Sequence, residues 1–278
     1  MIIWLASYPK SGNTYIRSFL SAYYYSDDGQ FNFDLLKNIK QFPDKNFFDK
    51  KIENIDEASV NWEGAQKAIK EKRQISFLKT HNCLGSFKGI PFTTANYTLG
   101  AIYIVRDPRN IVTSLKNHFS LNDDEAINFI KDEKRATQSE ATDFSTYSFI
   151  SSWSNHYKSW LYNKNFRKML IRYEDLENNK YETFRDIIVF VNTLMNKTER
   201  VNKSKLETAI KSTNFNVLKN LEKNTGFDEA TYSKKDKKNI TFFNLGFNNR
   251  WKKILSEDTR ENIEKCFYKE MKELEYLS

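Results

Sequence analysis

The chain has 278 residues, 39% of them hydrophobic and 15% aromatic, enough for the core of one large α/β domain or two small ones. Its 44 Lys and Arg against 36 Asp and Glu give a net charge of +8, which favours anionic partners, yet no Arg-rich tract, RNA-binding motif or zinc-finger spacing points to nucleic acid. Two cysteines (Cys83, Cys266) make no disulfide framework and three histidines (His81, His118, His156) make no metal-ligand cluster. No apolar stretch reaches bilayer length, and the first apolar run is too short and lacks the basic flank of a secretory signal, so a cytoplasmic protein without stable membrane insertion is expected.

Residues 2–7 read as a short buried strand, residues 8–14 as a turn with Pro9, Gly12 and Asn13, and Ile16, Phe19, Leu20 and Tyr23 as one helix face at i, i+3, i+4, i+7. Strand, turn and helix N-terminus together make an anion site, because the first N–H groups of a helix lack intrahelical partners. Lys10 adds a full charge, and Ser11 and Thr14 add hydroxyl donors. Phosphate or sulfate is the natural guest. The loop is not a Walker A motif, since Lys10 precedes Gly12 instead of following a second glycine.

Residues 26–59 carry turn signals and five unperiodic phenylalanines, and read as a loop-rich excursion. A helix over about 60–73 would bury Trp62, Ala65 and Ile69. A second strand, residues 75–78, ends in Lys79-Thr80-His81, where ligands of open α/β sheets bind. After a loop at 82–97, a third strand (98–105) runs into Arg106-Asp107-Pro108, with Asp107 as N-cap and Pro108 as first helical residue. Ser114 lies two turns into that helix. Helices follow at about 123–140 and 145–163, the second with an aromatic stripe read as core. A fourth strand, 169–173, leads into Glu174-Asp175, and a helix carries Phe184, Ile187, Ile188, Val191 and Leu194. Residues 224–250 lose periodicity, and the lysines at 234–238 read as a solvated loop and candidate lid. A last amphipathic helix places Ile263, Phe267, Met271 and Leu274 on one face. Strands alternating with helices predict a mostly parallel sheet with helices on both faces, in one domain over 1–278.

The segment Tyr8-Pro9-Lys10-Ser11-Gly12-Asn13-Thr14-Tyr15 resembles the P-K-S-G-T-T-W loop of soluble sulfotransferases that use adenosine 3′-phosphate 5′-phosphosulfate (PAPS), departing only at Asn13 and Tyr15. Lys79-Thr80-His81 resembles the family's K-T-H tripeptide, and Arg106 with Ser114 its second nucleotide motif. Tyr173-Glu174-Asp175 and Ser212-Thr213-Asn214-Phe215 match further elements, and Gly246, Trp251 and Lys252 the last one. The resemblance runs from residue 2 to about 255. It implies a P-loop-kinase-like fold and transfer of a sulfuryl group from PAPS, released as PAP, to a hydroxyl or amine acceptor without a metal.

In that comparison His81 is the general base, Lys10 stabilises charge on the bridging oxygen, and Lys79 holds the sulfuryl oxygens. Lys10, Ser11, Gly12, Asn13 and Thr14 cradle the 5′-phosphosulfate, Arg106 and Ser114 the 3′-phosphate, while Tyr15, Tyr173, Thr213 and Phe215 approach the adenine. Asn244-Leu245 stand where the family has Arg-Lys before Gly246, leaving Arg250, Lys252 or the 234–238 lysines as candidate replacements. Acceptor specificity is expected in the loops at 26–59, 82–97 and 224–243. No oligomeric state is read, as the family's Lys-x-x-x-Thr-Val dimer pattern is not evident around residues 252–261. Two rivals are a P-loop kinase using ATP and a non-catalytic nucleotide-binding protein. The first lacks G-K-[ST]; the second fits Asn244-Leu245 but not the intact Lys10 and His81.

Overall fold

Five parallel strands form the central sheet in the computed structural model, which describes residues 1–138, 143–233 and 238–277. They are β1 (Ile2–Ser7), β2 (Lys40–Gln41), β3 (Ser76–Thr80), β4 (Thr98–Val105) and β5 (Arg167–Arg172), in the spatial order β2-β3-β1-β4-β5. The principal helices are α1 (Asn13–Tyr25), α2 (Ile55–Glu71), α3 (Pro108–Phe119), α4 (Asp123–Lys131), α5 (Trp153–Leu161), α6 (Lys180–Leu194), α7 (Lys203–Ser212), α8 (Phe215–Thr225), α9 (Glu257–Cys266) and α10 (Tyr268–Glu273).

The central strand explains the two-sided architecture. All six residues of β1 are buried, and successive side chains of a strand point to opposite faces. Ile2, Trp4 and Ala6 pack with Trp62 of α2, Ile111 and Leu115 of α3, and Trp153 and Trp160 of α5. Ile3 and Leu5 pack with Ile16 and Phe19 of α1 and Phe184, Ile188 and Val191 of α6. Each of the fully buried Ile, Leu, Val and Phe side chains among them contributes roughly 1.5–3 kcal/mol relative to exposure. The Trp4 indole also donates to Thr98 Oγ1 at 2.9 Å, so its one polar atom is satisfied.

Register then sets where the chemistry falls. Ala6 lies opposite Thr80 of β3, and Ser7 lies opposite Ile104 of β4. The loops leaving β1, β3 and β4 therefore emerge side by side at one edge of the sheet.

Several boundaries differ from the sequence-based expectation. β2 is hidden in the excursion at 26–59 and pairs with β3 through Lys40 opposite Leu78. Helix α2 starts at Ile55, because the Asn54 side chain accepts from the Glu57 N–H at 2.8 Å and caps it there. The helix expected over 123–140 stops at Lys131, and the one expected from 145 starts at Trp153, capped by Ser152. The last helix is two pieces, α9 and α10, broken at Phe267. Of the lysine run at 234–238, residues 234–237 lie outside the described residues. Among the described residues no helix is long and apolar enough to cross a membrane, and no group of His, Cys, Asp and Glu is arranged to hold a metal ion.

Candidate active site

The loop after β1 is held in an unusual backbone shape. Lys10 and Gly12 both have positive φ, 66° and 95°. Asn13, at the start of α1, ties the loop down by donating from Nδ2 to the Leu5 carbonyl (2.9 Å) and to Ser7 Oγ (3.2 Å). Asn13, a departure from the family loop, thus has a structural partner in the strand that feeds it.

Three cationic side chains converge beside this loop. Lys10 Nζ lies 4.6 Å from the centre of the Phe242 ring. Burial, followed by the charges of Arg106 and Lys79, brings Lys10 down to about 8, with Glu229 and Glu222 pulling the other way. Lys79, at the end of β3, is buried and donates to Glu229 Oε2 at 3.0 Å. Arg106, at the end of β4, donates from Nη1 to the Lys10 carbonyl (2.9 Å) and Ser114 Oγ (3.4 Å), and its guanidinium lies 4.2 Å from the centre of the Tyr173 ring. Its Nε is buried without a hydrogen-bond partner among the described residues.

His81 follows β3. Its Nδ1 is 2.8 Å from the Ser7 carbonyl and 3.3 Å from Ser7 Oγ. A carbonyl only accepts, so this network assigns the proton to Nδ1 and leaves Nε2 unprotonated in the neutral ring. Burial, and then the Lys79 charge, lowers the imidazole to about 3, so it is neutral at physiological pH. Beneath it the fully buried His156 has Nε2 3.1 Å from the His81 carbonyl and Nδ1 2.8 Å from the Tyr103 hydroxyl. Donation to the His81 carbonyl puts the proton on Nε2, so Tyr103 donates to Nδ1. His156 thus fixes the backbone of residue 81, and Ser7 fixes its ring.

These groups line one cavity of about 400 Å³. Lys10, Gly12, Asn13, Thr14, Tyr15, Lys79, His81, Arg106, Ser114, Tyr173, Phe215 and Gly246 all reach it. Ser11 is buried beside it without lining it, its hydroxyl unpartnered among the described residues. Thr213 is turned away, its hydroxyl donating to the Ala209 carbonyl at 2.7 Å inside the end of α7. Arg250 also lies off the cavity, exposed and 3.7 Å from Glu177. The position of Asn244-Leu245 does line the cavity, but as a neutral edge. Next to it Asn249 donates to Ser114 Oγ at 3.3 Å and accepts from Thr113 at 2.7 Å, extending the polar wall around Arg106.

Sequence reasoning missed Glu229, Asn249, His118 and the Phe242-Phe243 pair, all in the lining. Burial would raise the Glu229 carboxyl, but Lys79 and Arg17 outweigh it and hold it down at about 2. None of these residues sits in a strand-end motif, the local signal that marks Lys10, Lys79, His81 and Arg106.

An aromatic wall with a cationic end suits a nucleotide: Tyr15, Tyr173 and Phe215 line the cavity that Arg106 also lines, and Phe247 backs the two tyrosines. Tyr173, Tyr15 and Phe247 group together, with ring centres 5.1 Å (Tyr173–Phe247) and 5.8 Å (Tyr15–Phe247) apart. The orphaned Arg106 Nε beside Ser114 is a buried donor lacking the acceptor that a phosphate oxygen would supply.

The sulfotransferase domain family matches residues 2–275, and the chain belongs to it. Mouse sulfotransferase SULT7A1, solved with PAP, is 18% identical and superposes with a TM-score of 0.57 over 97% of this chain and 84% of that one. Retinol dehydratase, solved with androsterone and the inactive cofactor PAP, is 16% identical with a TM-score of 0.59 over 98% and 80%. A second structure of retinol dehydratase, with retinol and PAP, gives 16% identity and a TM-score of 0.57 over 98% and 81%. These likenesses establish the shared α/β fold. No curated protein sequence matches the chain.

Proposed function

We propose that this protein is a PAPS-dependent sulfotransferase that moves a sulfuryl group to a hydroxyl acceptor and releases PAP, with His81 as general base. Family membership supports sulfuryl transfer, and the PAP bound in SULT7A1 and retinol dehydratase supports the nucleotide. The observation that carries the reading is the His81 ring, pinned through Nδ1 to Ser7 so that Nε2 is the bare nitrogen, in a cavity shared with Lys10 and Lys79.

PAPS supplies an activated sulfuryl group on a phosphate leaving group. The chain supplies position and charge. Lys10 and the first N–H groups of α1 hold the 5′ end, and Lys10, still mostly protonated at neutral pH, stabilises negative charge as the bridging oxygen departs. Lys79 holds the sulfuryl oxygens. Arg106 and Ser114 take the 3′-phosphate, with Asn249 bracing Ser114 in place of a second cation. Tyr173 and Phe215 flank the adenine. His81 Nε2 accepts the acceptor proton, and the negative charge gathered beside it raises a proton affinity that burial and the Lys79 charge keep low.

The acceptor class is a small apolar alcohol or phenol: Phe119, Phe242 and Phe243 line the cavity, and retinol dehydratase binds androsterone and retinol in this fold. The reading includes one domain over 1–278, a cytoplasmic setting, and no metal or nucleic acid. Calorimetry with PAP, ADP and ATP, followed by a labelled-PAPS transfer assay over alcohols, phenols and amines, tests it. PAP is expected to bind and ATP not to; ATP binding without PAP binding would overturn the reading in favour of a kinase.

A further inference from the structure

Three donors from two separate elements, α1 and β3, meet on the Glu229 carboxylate. Arg17 Nη1 donates to Oε1, and Oε2 accepts from Lys79 Nζ at 3.0 Å and from Thr14 Oγ1 at 3.3 Å. Thr14 and Arg17 are three residues apart on α1 and so share a face. The rest of the Arg17 guanidinium is locked by two backbone carbonyls, Nε to Ile39 at 2.7 Å and Nη2 to Leu36 at 3.0 Å, which fixes the direction of Nη1. The Arg17 and Lys79 side chains are only 9% and 7% exposed. Glu229 is different. It comes from the irregular stretch after α8 and is 28% exposed.

The donors therefore belong to the rigid sheet-and-helix frame, and the acceptor to a connection outside it. Two buried cations and a hydroxyl aimed at one point form an oxyanion holder, and two cations against one carboxylate leave a positive charge unspent. We propose that Arg17, Lys79 and Thr14 form an oxyanion subsite for the phosphosulfate end of the donor, and that Glu229 is a tethered internal competitor that must leave before the donor seats. Naming the occupant rests on the PAPS reading; the existence of the subsite does not. Arg17 and Glu229 belong to none of the motifs that mark the rest of the site. Without displacement, Lys79 would have to hold ligand oxygens and the Glu229 carboxylate at once, juxtaposing like charges.

The test is calorimetry of the full chain at constant ionic strength, with sodium sulfate and with PAP as separate probes. Glu229→Gln is expected to bind sulfate at least about tenfold more tightly than the wild type, and adding Arg17→Met should cancel the gain. Sulfate affinity unchanged or weakened in Glu229→Gln overturns the proposal. Should Glu229→Gln not fold, Glu229→Asp decides. It keeps the charge but is one methylene shorter, and it should bind sulfate more tightly than the wild type; equal or weaker binding overturns the proposal. A sulfate gain in a protein that does not bind PAP keeps the subsite and removes the PAPS reading. PAP binding by the wild type with no sulfate gain in either variant does the reverse.

Discussion

The Tyr173 ring lies against Gly12 so closely that a Cβ on the glycine would sit 2.3 Å from Tyr173 Cδ2. The loop after β1 and the end of β5 are thereby fitted to each other through a missing side chain. Gly12 also has φ of 95°, a conformation that costs an L-residue roughly 1–2 kcal/mol. Gly12→Ala is expected to lower stability by about 2–4 kcal/mol, strain and overlap together. It should weaken PAP binding in parallel. Adding Tyr173→Ala should recover part of the stability and none of the strain. Thermal melts of the single and double variants measure this, and a neutral Gly12→Ala would contradict the packing described.

Lys10 gives the pH dependence its alkaline side. Burial and the neighbouring Arg106 and Lys79 charges lower it to about 8, and in the proposed mechanism only its protonated form stabilises the departing oxygen. In the free enzyme kcat/KM should therefore fall as pH rises through about 8. Lys10→Arg, which does not titrate there, should move that fall to higher pH even if its rate is lower. Lys10→Ala should lose roughly 10²–10³ in kcat. A pH–rate profile in which wild type and Lys10→Arg descend together would assign the alkaline limb elsewhere.

His81→Ala should remove turnover by a factor of roughly 10²–10⁴ while leaving PAP affinity within about twofold. Single-turnover assays and PAP titrations on the same preparation separate the two effects. Loss of PAP binding together with turnover would make His81 a structural residue.

Arg106→Ala should act on binding. Its guanidinium joins the Lys10 carbonyl, Ser114 and the Tyr173 face, so removal is expected to cost PAP affinity about 1.5–3 kcal/mol with a smaller effect on kcat. Thr213→Val, by contrast, should leave PAP affinity nearly unchanged, because its hydroxyl is spent on the Ala209 carbonyl. A large loss of PAP affinity in Thr213→Val would mean that the end of α7 rearranges on binding.

Residues at strand ends were legible because their signals are local. A buried run, a turn and a cap lie within a dozen residues, which is why Lys10, Lys79, His81 and Arg106 could be named together and do line one cavity. Glu229 was not legible, since it lies 150 positions from Lys79 and reaches it from a stretch with no period. Arg250 was a reasonable stand-in for a missing clamp, yet it sits near Glu177, while the neutral Asn249 reaches Ser114 instead. Strand β2 was invisible for another reason: two residues carry no alternation, and only their pairing with β3 defines them.

The alternation along β3 couples chemistry to packing. Phe77 points into the core that holds Phe19 and Phe184, and Lys79, two residues on, shares its face. A slip of one position against β1 would bring Thr80 to the anion cradle and turn Lys79 toward the opposite core, among Trp4 and Phe92. Phe77 therefore acts as a key that admits only one setting of the strand. Changes that loosen its packing are therefore expected to displace Lys79 and, on the proposed mechanism, to lower activity before they unfold the protein.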